Sequence, residues 1–473
     1  MLMKIAGFCS CNYSKKMKKF ILVLVLLNGV FSFAQEKDST KVFKKRVLES
    51  AEVDFLASYY HQEGTHSAVS GGIGSEKLTD GASNIVVAVP LNEDDVLTID
   101  AGISAYSSAS SSNINPYNNG EEGNIGNIAN GTPTPWQASS GASETDALVS
   151  MVANYSHSSD NRNFIWNTDV SFSNEFDYTS VGFGGGITKL FNNKNSEVSL
   201  KANAYIDQWR PIYPIEFRSY SSMSPYVYDQ NGNHSTAYTN QFTPWTSTNR
   251  NSYSASFSFS QVLTKKSQFS LFFDLLQQEG KLSTPYQRMY FADKVNFYVG
   301  DPQYIPVYTT DANKGVYQLA DDIERLPNSR FKVPIGLRWN YYVNEKMALR
   351  TYYRYYWDNW GITAHTASIE LPYKITDKFT VFPMYRYYTQ QQSKYFAPYE
   401  KHFSIEEYYT SDYDLSTFNA NQYGFGVNYT DIFTSAKIWK FGLKNIDFRY
   451  NHYARSDGLD SNIVTVGFKF ALQ

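Results

Sequence analysis

His61, Glu63 and His66, in the stretch HQEGTH, place two imidazoles and a carboxylate within six residues. Such a set can ligate a divalent metal, and these three are the candidate metal residues. Polar packing within a loop is the plainer reading of the same spacing. A zinc-protease helix would need His at i and i+4 with Glu beside the first, which this stretch lacks. Asp229-Gln230-Asn231-Gly232-Asn233 starts like a calcium loop but has no Gly and Glu at the later positions. Gly182-Phe183-Gly184-Gly185-Gly186 superficially resembles a phosphate loop. No helical pattern follows it, so bending of a strand is the better account. His365, in TAHTAS, would need a neighbouring Ser to build a hydrolase, and no paired nucleophile singles itself out. No catalytic residue is assigned, no enzyme is expected, and no cofactor is expected beyond that possible metal.

A second group of residues suggests transport chemistry. Arg338, Arg350, Arg354 and Arg386 fall on the polar sides of consecutive alternating segments, as do Asp447 and Arg449. In a barrel these six would line the pore. The arginines either form an anion-attracting wall or pair with inward acids, and the sequence leaves both open. Inward charges of both signs argue against strong ion selectivity.

The elements that would position these groups are strands. From Ser50 onward apolar and polar residues alternate in segments of roughly ten residues, the length and period of transmembrane strands. Val53, Phe55, Ala57 and Tyr59 oppose Glu52, Asp54 and Ser58. Trp166, Thr168, Val170 and Phe172 oppose Asn167, Asp169 and Ser171. Phe331, Val333, Ile335, Leu337 and Trp339 oppose Lys332, Arg338 and Asn340. The last stretch, SNIVTVGFKFAL, sets Val464, Val466, Phe468 and Phe470 against Thr465, Gly467 and Lys469. It resembles the closing strand read by the bacterial barrel assembly machinery, with Gln473 as one extra residue beyond the last hydrophobic position.

Connections supply the orientation. Short polar turns lie at 91–95 (LNEDD), 157–162, 191–196, 263–268, 343–346 and 375–378. Long segments lie at 60–83, 107–146, 210–250, 280–329 and 391–416. Strict alternation of short and long connections is expected of a barrel with periplasmic turns and external loops. The fold class is all-β: a transmembrane antiparallel β-barrel of about 16 strands with long extracellular loops and short periplasmic turns. The Ser-, Asn- and Gly-rich loop 107–146 is either a surface loop or one that folds inward to narrow the pore. Tyr352, Tyr353, Tyr355, Tyr356, Trp357 and Trp360, with Tyr387 and Tyr388, read as an aromatic girdle at the lipid boundary. A sugar-stacking track inside the pore is the alternative.

Export is written at the N-terminus. Lys15, Lys16, Lys18 and Lys19 precede an apolar run from Phe20 to Val30, and Ser32-Phe33-Ala34 forms a cleavage site before Gln35. The order is already complete from Met17, an alternative start. The expected division is a signal peptide at 1–34, a periplasmic segment at 35–49 and the barrel at 50–473, with no room for a plug domain before the first strand. Both cysteines, Cys9 and Cys11, precede the cut, so the mature chain offers no disulfide or thiol chemistry. Loss of Lys4 and the four later lysines takes Lys plus Arg from 42 to 37 against 45 acids, shifting the net charge from −3 to −8. That balance gives no basic surface for nucleic acid.

The phrases HSAVSGGIGSEKLTDGASN (66–84), AYSSASSSNINP (105–116), WGITAHTASIELPYK (360–374) and TVFPMYRYYTQQQSKYFAPY (380–399) resemble an uncharacterised domain-of-unknown-function family of outer-membrane β-barrel proteins common in Bacteroidota. The resemblance covers nearly the whole mature chain and implies location in the outer membrane, in contact with its lipid. Genes of that family often adjoin those of a flavin transferase, a thioredoxin-like protein and a small lipoprotein, which implies a periplasmic or lipoprotein redox partner. The expected function is a porin-like or transport channel for small solutes. The alternative is a docking or structural barrel for an envelope redox or metal-handling system.

Overall fold

Period-two alternation dictates extended chain, because successive side chains of a strand leave opposite faces and only a sheet buries the backbone polar groups between them. In the computed structural model, the described residues are 45–108, 145–211, 213–220, 223–302, 320–431 and 433–473. The expected signal peptide, most of the segment after it, and the loop 107–146 apart from its two ends lie outside them. Sixteen long strands form the wall. They are β1 (Glu52–Glu63), β2 (Leu78–Pro90), β3 (Asp95–Ser108), β4 (Thr145–Ser158), β5 (Phe164–Asn174), β6 (Tyr178–Phe191), β7 (Ser196–Trp209) and β8 (Thr248–Thr264). The other eight are β9 (Ser267–Gly280), β10 (Ser329–Asn344), β11 (Met347–Asp358), β12 (Thr363–Glu370), β13 (Phe379–Gln390), β14 (Phe418–Thr430), β15 (Phe441–Arg455) and β16 (Asp460–Leu472).

Each strand pairs antiparallel with its neighbours in chain order, and β16 returns to β1 from Glu52↔Ala471 to Glu63↔Asp460. The sheet is therefore closed, which leaves no edge. Register keeps the two faces distinct all round. Phe55 lies opposite both Ile85 and Phe468 on the apolar face, while Ser58 lies opposite Ala82 and Thr465 on the other. Phe172, Phe183, Leu200 and Met151 are about half exposed on the outer surface, as lipid-facing residues are. Thr465, Gly467 and Lys469 face inward as expected.

Short turns at one end are built by side chains that take up free backbone N–H groups. Asn92 Oδ1 accepts from the N–H groups of Asp94 and Asp95, and Asn344 Oδ1 accepts from those of Lys346 and Met347. Near the same end, β15 has a bulge between Leu443 and Asn445. The extra residue, Lys444, turns inward there and its Nζ reaches Glu52 at 2.7 Å.

Strict alternation of short and long connections does not hold. On the long-loop end three connections are brief: 175–177, 359–362 and 456–459. Tight closure at these points is local. Asp358 Oδ1 accepts from the N–H groups of Trp360 and Ile362, and Arg455 chelates Asp457.

The long loops fold together. The described residues of segments 64–77, 210–247, 281–328 and 391–417 form a cap with its own apolar core. Tyr213, Phe217, Val227, Phe242, Val299 and Ile323 are buried in one cluster, and Met289, Phe291 and Tyr409 in a second. Two short antiparallel pairs stiffen the cap, Val227–Asp229 with Phe297–Val299 and Arg288–Met289 with Asp322–Ile323.

Candidate functional site

The three candidate metal residues do not converge. His61 and Glu63 occupy outward positions at the end of β1, where His61 Nε2 meets Glu63 Oε1 at 3.3 Å and Nδ1 meets Thr79 Oγ1 at 2.9 Å. His66 lies beyond the strand, where its Nδ1 contacts the carbonyl of Gly72 and its ring stacks on Tyr413 at 3.8 Å. The end of β1 at Glu63 separates the first two from the third, and among the described residues no group of three His, Cys, Asp or Glu is arranged to hold a metal. The reading of HQEGTH as a three-residue ligand set is corrected accordingly. His365 faces outward on β12, with Nδ1 2.7 Å from the Tyr353 hydroxyl.

All six pore-lining candidates face the lumen, and they divide into two kinds. Arg350 Nη1 donates to Glu370 Oε1 at 2.9 Å, while Arg449 reaches Glu370 Oε2 at 3.2 Å and Asp447 at 2.8 Å. The Phe382 ring lies 6.0 Å from the Arg350 guanidinium and 5.2 Å from that of Arg449. These two cations are neutralised where they stand. Arg338, Arg354 and Arg386 have no acid within ion-pair distance among the described residues, and the Nε atoms of Arg354 and Arg386 are buried without a hydrogen-bond acceptor. Arg338 and Arg386 share one rung of the ladder through Tyr352 and Ser368, and Arg354 sits on the next. Arg338 also lies against the rings of Phe272 and Tyr352, at 5.7 and 5.6 Å.

Inward charges are sorted by side, which single-strand patterning does not reveal. Among the described residues β1–β5 turn Glu52, Asp54, Asp80, Asp100, Asp146 and Asp169 inward and no base. β6–β9 add Glu197, Asp207 and Asp274 against Lys201 and Arg250. Across the lumen, β10–β13 carry Arg330, Lys332, Arg338, Arg350, Arg354 and Arg386 against Asp358 and Glu370. β15 and β16 add Lys444, Arg449, Arg455 and Lys469 against Asp447. Both signs are present, as expected, but acids predominate on β1–β5 and bases on β10–β16. At the seam between the halves Lys469 bridges to Glu52 at 2.9 Å and Asp54 at 3.4 Å.

Small residues give these groups room. A Cβ on Gly184 would lie 2.3 Å from Asp169 Oδ2 and 2.6 Å from Asn203 Oδ1, so the glycine run of β6 lets inward polar side chains lean over it. The aromatic cluster splits by face. Tyr353, Tyr355, Trp357 and Tyr387 point outward, while Tyr352, Tyr356 and Tyr388 point into the lumen. Trp360 belongs to neither group: it is buried at the base of the cap with Leu282 and Leu326.

The cap lies across the mouth. In a closed wall of sixteen strands, β1 and β2 stand opposite β9 and β10, yet the loops rooted on them touch: a Cβ on Gly71 would fall 2.6 Å from the Tyr290 ring. Arg288 forms a buried pair with Glu216 at 2.6 Å, tying 281–328 to 210–247. Gln241 donates to the Glu406 carbonyl, tying 210–247 to 391–417.

Within the cap is a cavity of about 220 Å³ lined by Trp245, Lys281, Asp322, Glu324, Arg325 and Tyr408. Burial pushes the Glu324 carboxyl up to about 8, with Asp412 adding to the effect. Burial likewise raises Asp322 to about 6, opposed by backbone N–H donors of Ile323 and Gln241, and Asp412 to about 7, with Asp414 adding. Sequence reasoning missed these acids, because a carboxylate in a loop reads as solvated until the loop is known to have a core.

The model of a family described as protein of unknown function (DUF3570) matches residues 22–460. No curated protein matches the chain. Similar solved structures include a bacterial polysaccharide outer membrane secretin, at 9% identity and TM-score 0.40, covering 90% of this chain and 99% of that one. A FadL homologue of Pseudomonas aeruginosa is 11% identical, with 90% of each chain covered and a TM-score of 0.35. The outer membrane protein opdK of Pseudomonas aeruginosa is 8% identical, with 90% and 100% covered and a TM-score of 0.35.

Proposed function

We propose that this chain, which belongs to the family described as protein of unknown function (DUF3570), is a capped outer-membrane barrel that passes small solutes and catalyses no reaction on them. The observation that carries this reading is the pairing of a polar, charged lumen with a packed cap made by loops from opposite sides of the wall. A wall of this strand number encloses space for water and small solutes. Passage then requires the cap to shift, and a cap whose loops pack on one another can do so as a unit while the closed sheet stays fixed. The test is conductance of the purified, folded protein in planar bilayers. Discrete channel openings are expected, more frequent when the cap is loosened by Glu216→Gln. Silence of both proteins at every voltage would reject the channel.

A docking role is supported by a different feature. The turn 431–440, at the end with short connections, exposes Phe433, Ile438 and Trp439, the last at 95%. These residues form a site for an envelope partner or an anchor in the interfacial lipid. Cross-linking in intact envelopes followed by recovery with Trp439→Ser distinguishes the two. A partner lost in that variant supports docking; unchanged recovery of every cross-linked protein removes it.

A further inference from the structure

We infer that the solutes preferred by this lumen are zwitterions, held with their anionic end toward Arg338, Arg354 and Arg386. This rests on the transport reading and adds a solute class to it. The placement of charge comes from register alone. In a closed sheet of sixteen strands, strands eight apart in order face each other across the lumen. Arg354 on β11 therefore faces β3, which turns Asp100 inward, and Arg386 on β13 faces β5, which turns Asp169 inward. Arg338 on β10 faces β2 with Asp80. Arg338, Arg354, Arg386, Asp100 and Asp169 all lie near mid-strand, so the two poles stand at comparable depth.

These charges are available. The three arginines have no acid beside them among the described residues. On the other wall, Asp169 has Lys201 at 3.8 Å, Asp80 accepts only the Ser104 hydroxyl, and Asp100 has no cation within ion-pair distance among the described residues. The paired cations Arg350 and Arg449, by contrast, are satisfied on their own wall by Glu370. Opposed walls of unlike sign set up a field across the pore, and low-dielectric walls concentrate it. Such a field orients water. An uncharged solute displaces that ordered water and gains little in return, whereas a molecule with separated charges aligns with the field. An anion is drawn to one wall but repelled by the other, so neither simple ion gains as a zwitterion does.

The test is entry into proteoliposomes carrying the full-length barrel, comparing glutamine, a zwitterion near neutral pH, with xylitol, an uncharged polyol of similar size. The wild-type protein is expected to admit glutamine several-fold faster. Arg338→Gln, Arg354→Gln and Arg386→Gln together should bring the ratio near one, and so should Asp80→Asn, Asp100→Asn and Asp169→Asn together. Either set could disturb the wall, so heat-modifiable migration on gels confirms that each variant is a folded barrel before its ratio is read. Equal entry of glutamine and xylitol into wild-type liposomes overturns this inference and leaves the channel reading standing. A preference that survives both sets of substitutions also overturns it. Entry of neither solute rejects the channel and the inference together.

Discussion

Arg449 on β15 donates to Glu370 on β12 at 3.2 Å although β13 and β14 stand between their strands. The wall is concave on the lumen side, so long inward side chains converge there, and the second oxygen of Glu370 holds Arg350 at 2.9 Å. One carboxylate therefore restrains two cations over the ring of Phe382.

Glu370→Gln should release both arginines into the lumen. Partly exposed pairs of this kind contribute little to stability, about 1 kcal/mol or less, so the barrel should fold as before. The reversal potential in a salt gradient should move toward that of the anion. An unchanged reversal potential would show that Arg350 and Arg449 lie off the permeation path.

The Arg288–Glu216 pair is the reverse case: the side chains are 5% and 0% exposed, and they join two loops of the cap. Removing one partner leaves a buried charge uncompensated, which costs about 3–5 kcal/mol. Glu216→Gln should raise hydrogen exchange and protease cutting throughout 210–247 and 281–302 while the strands stay protected. Replacing both residues by apolar side chains of similar size should restore much of the protection. Uniform protection in the single variant would contradict a cap that is held at this point.

Cap stability should depend on pH. The folded cap raises the carboxyls of Asp322 to about 6, Asp412 to about 7 and Glu324 to about 8, so it favours their protonated forms. That contribution is complete below the ordinary carboxylate range and is lost as pH rises through these values. Arg325 and the Tyr409 and Thr410 hydroxyls oppose the shifts without cancelling them. Hydrogen exchange corrected for its intrinsic rate should show the cap opening more often at pH 9 than at pH 5. Glu324→Gln should flatten part of that dependence, and a cap that loosens on acidification over this range would contradict the assignment.

His66→Ala should leave the metal content of the purified protein unchanged, because His61 and Glu63 face outward while His66 packs on Tyr413. Its effect should be local loosening of 64–77. Loss of a bound divalent metal in this variant would restore the three-residue ligand set.

The barrel was legible because lipid outside and water inside impose period two on every strand, and Val464 to Phe470 show it as plainly as any stretch. Closure followed from an even strand number and from short turns such as 91–95. The cap was not legible. Phe217, Val227, Phe242 and Tyr409 sit in polar loops with no periodicity, and their core exists only because four loops meet. Faces of single residues could be read for Arg338 and Arg386, but not which charges stand opposite which. That depends on strand order around the closed wall, and it turns a lumen of both signs into one with two poles. The grouping of His61, Glu63 and His66 is broken in a similar way: the strand ends at Glu63 and the loop carries His66 away onto Tyr413.

Channel gating by the cap is tested most directly by locking the cap shut. A Cβ on Gly72 would lie 3.3 Å from the Ser411 Cβ, just under the separation a disulfide spans, and these positions join 64–77 to 391–417. It would also lie 2.8 Å from the Ser411 carbonyl oxygen at a φ of +90°, so the bond closes only with a small backbone shift. Gly72→Cys with Ser411→Cys, in a mature chain expected to hold no other cysteine, should conduct in planar bilayers only after reductant is added. Openings of equal size and frequency before and after reduction, with the disulfide confirmed by mass, would contradict a cap that must move for solutes to pass.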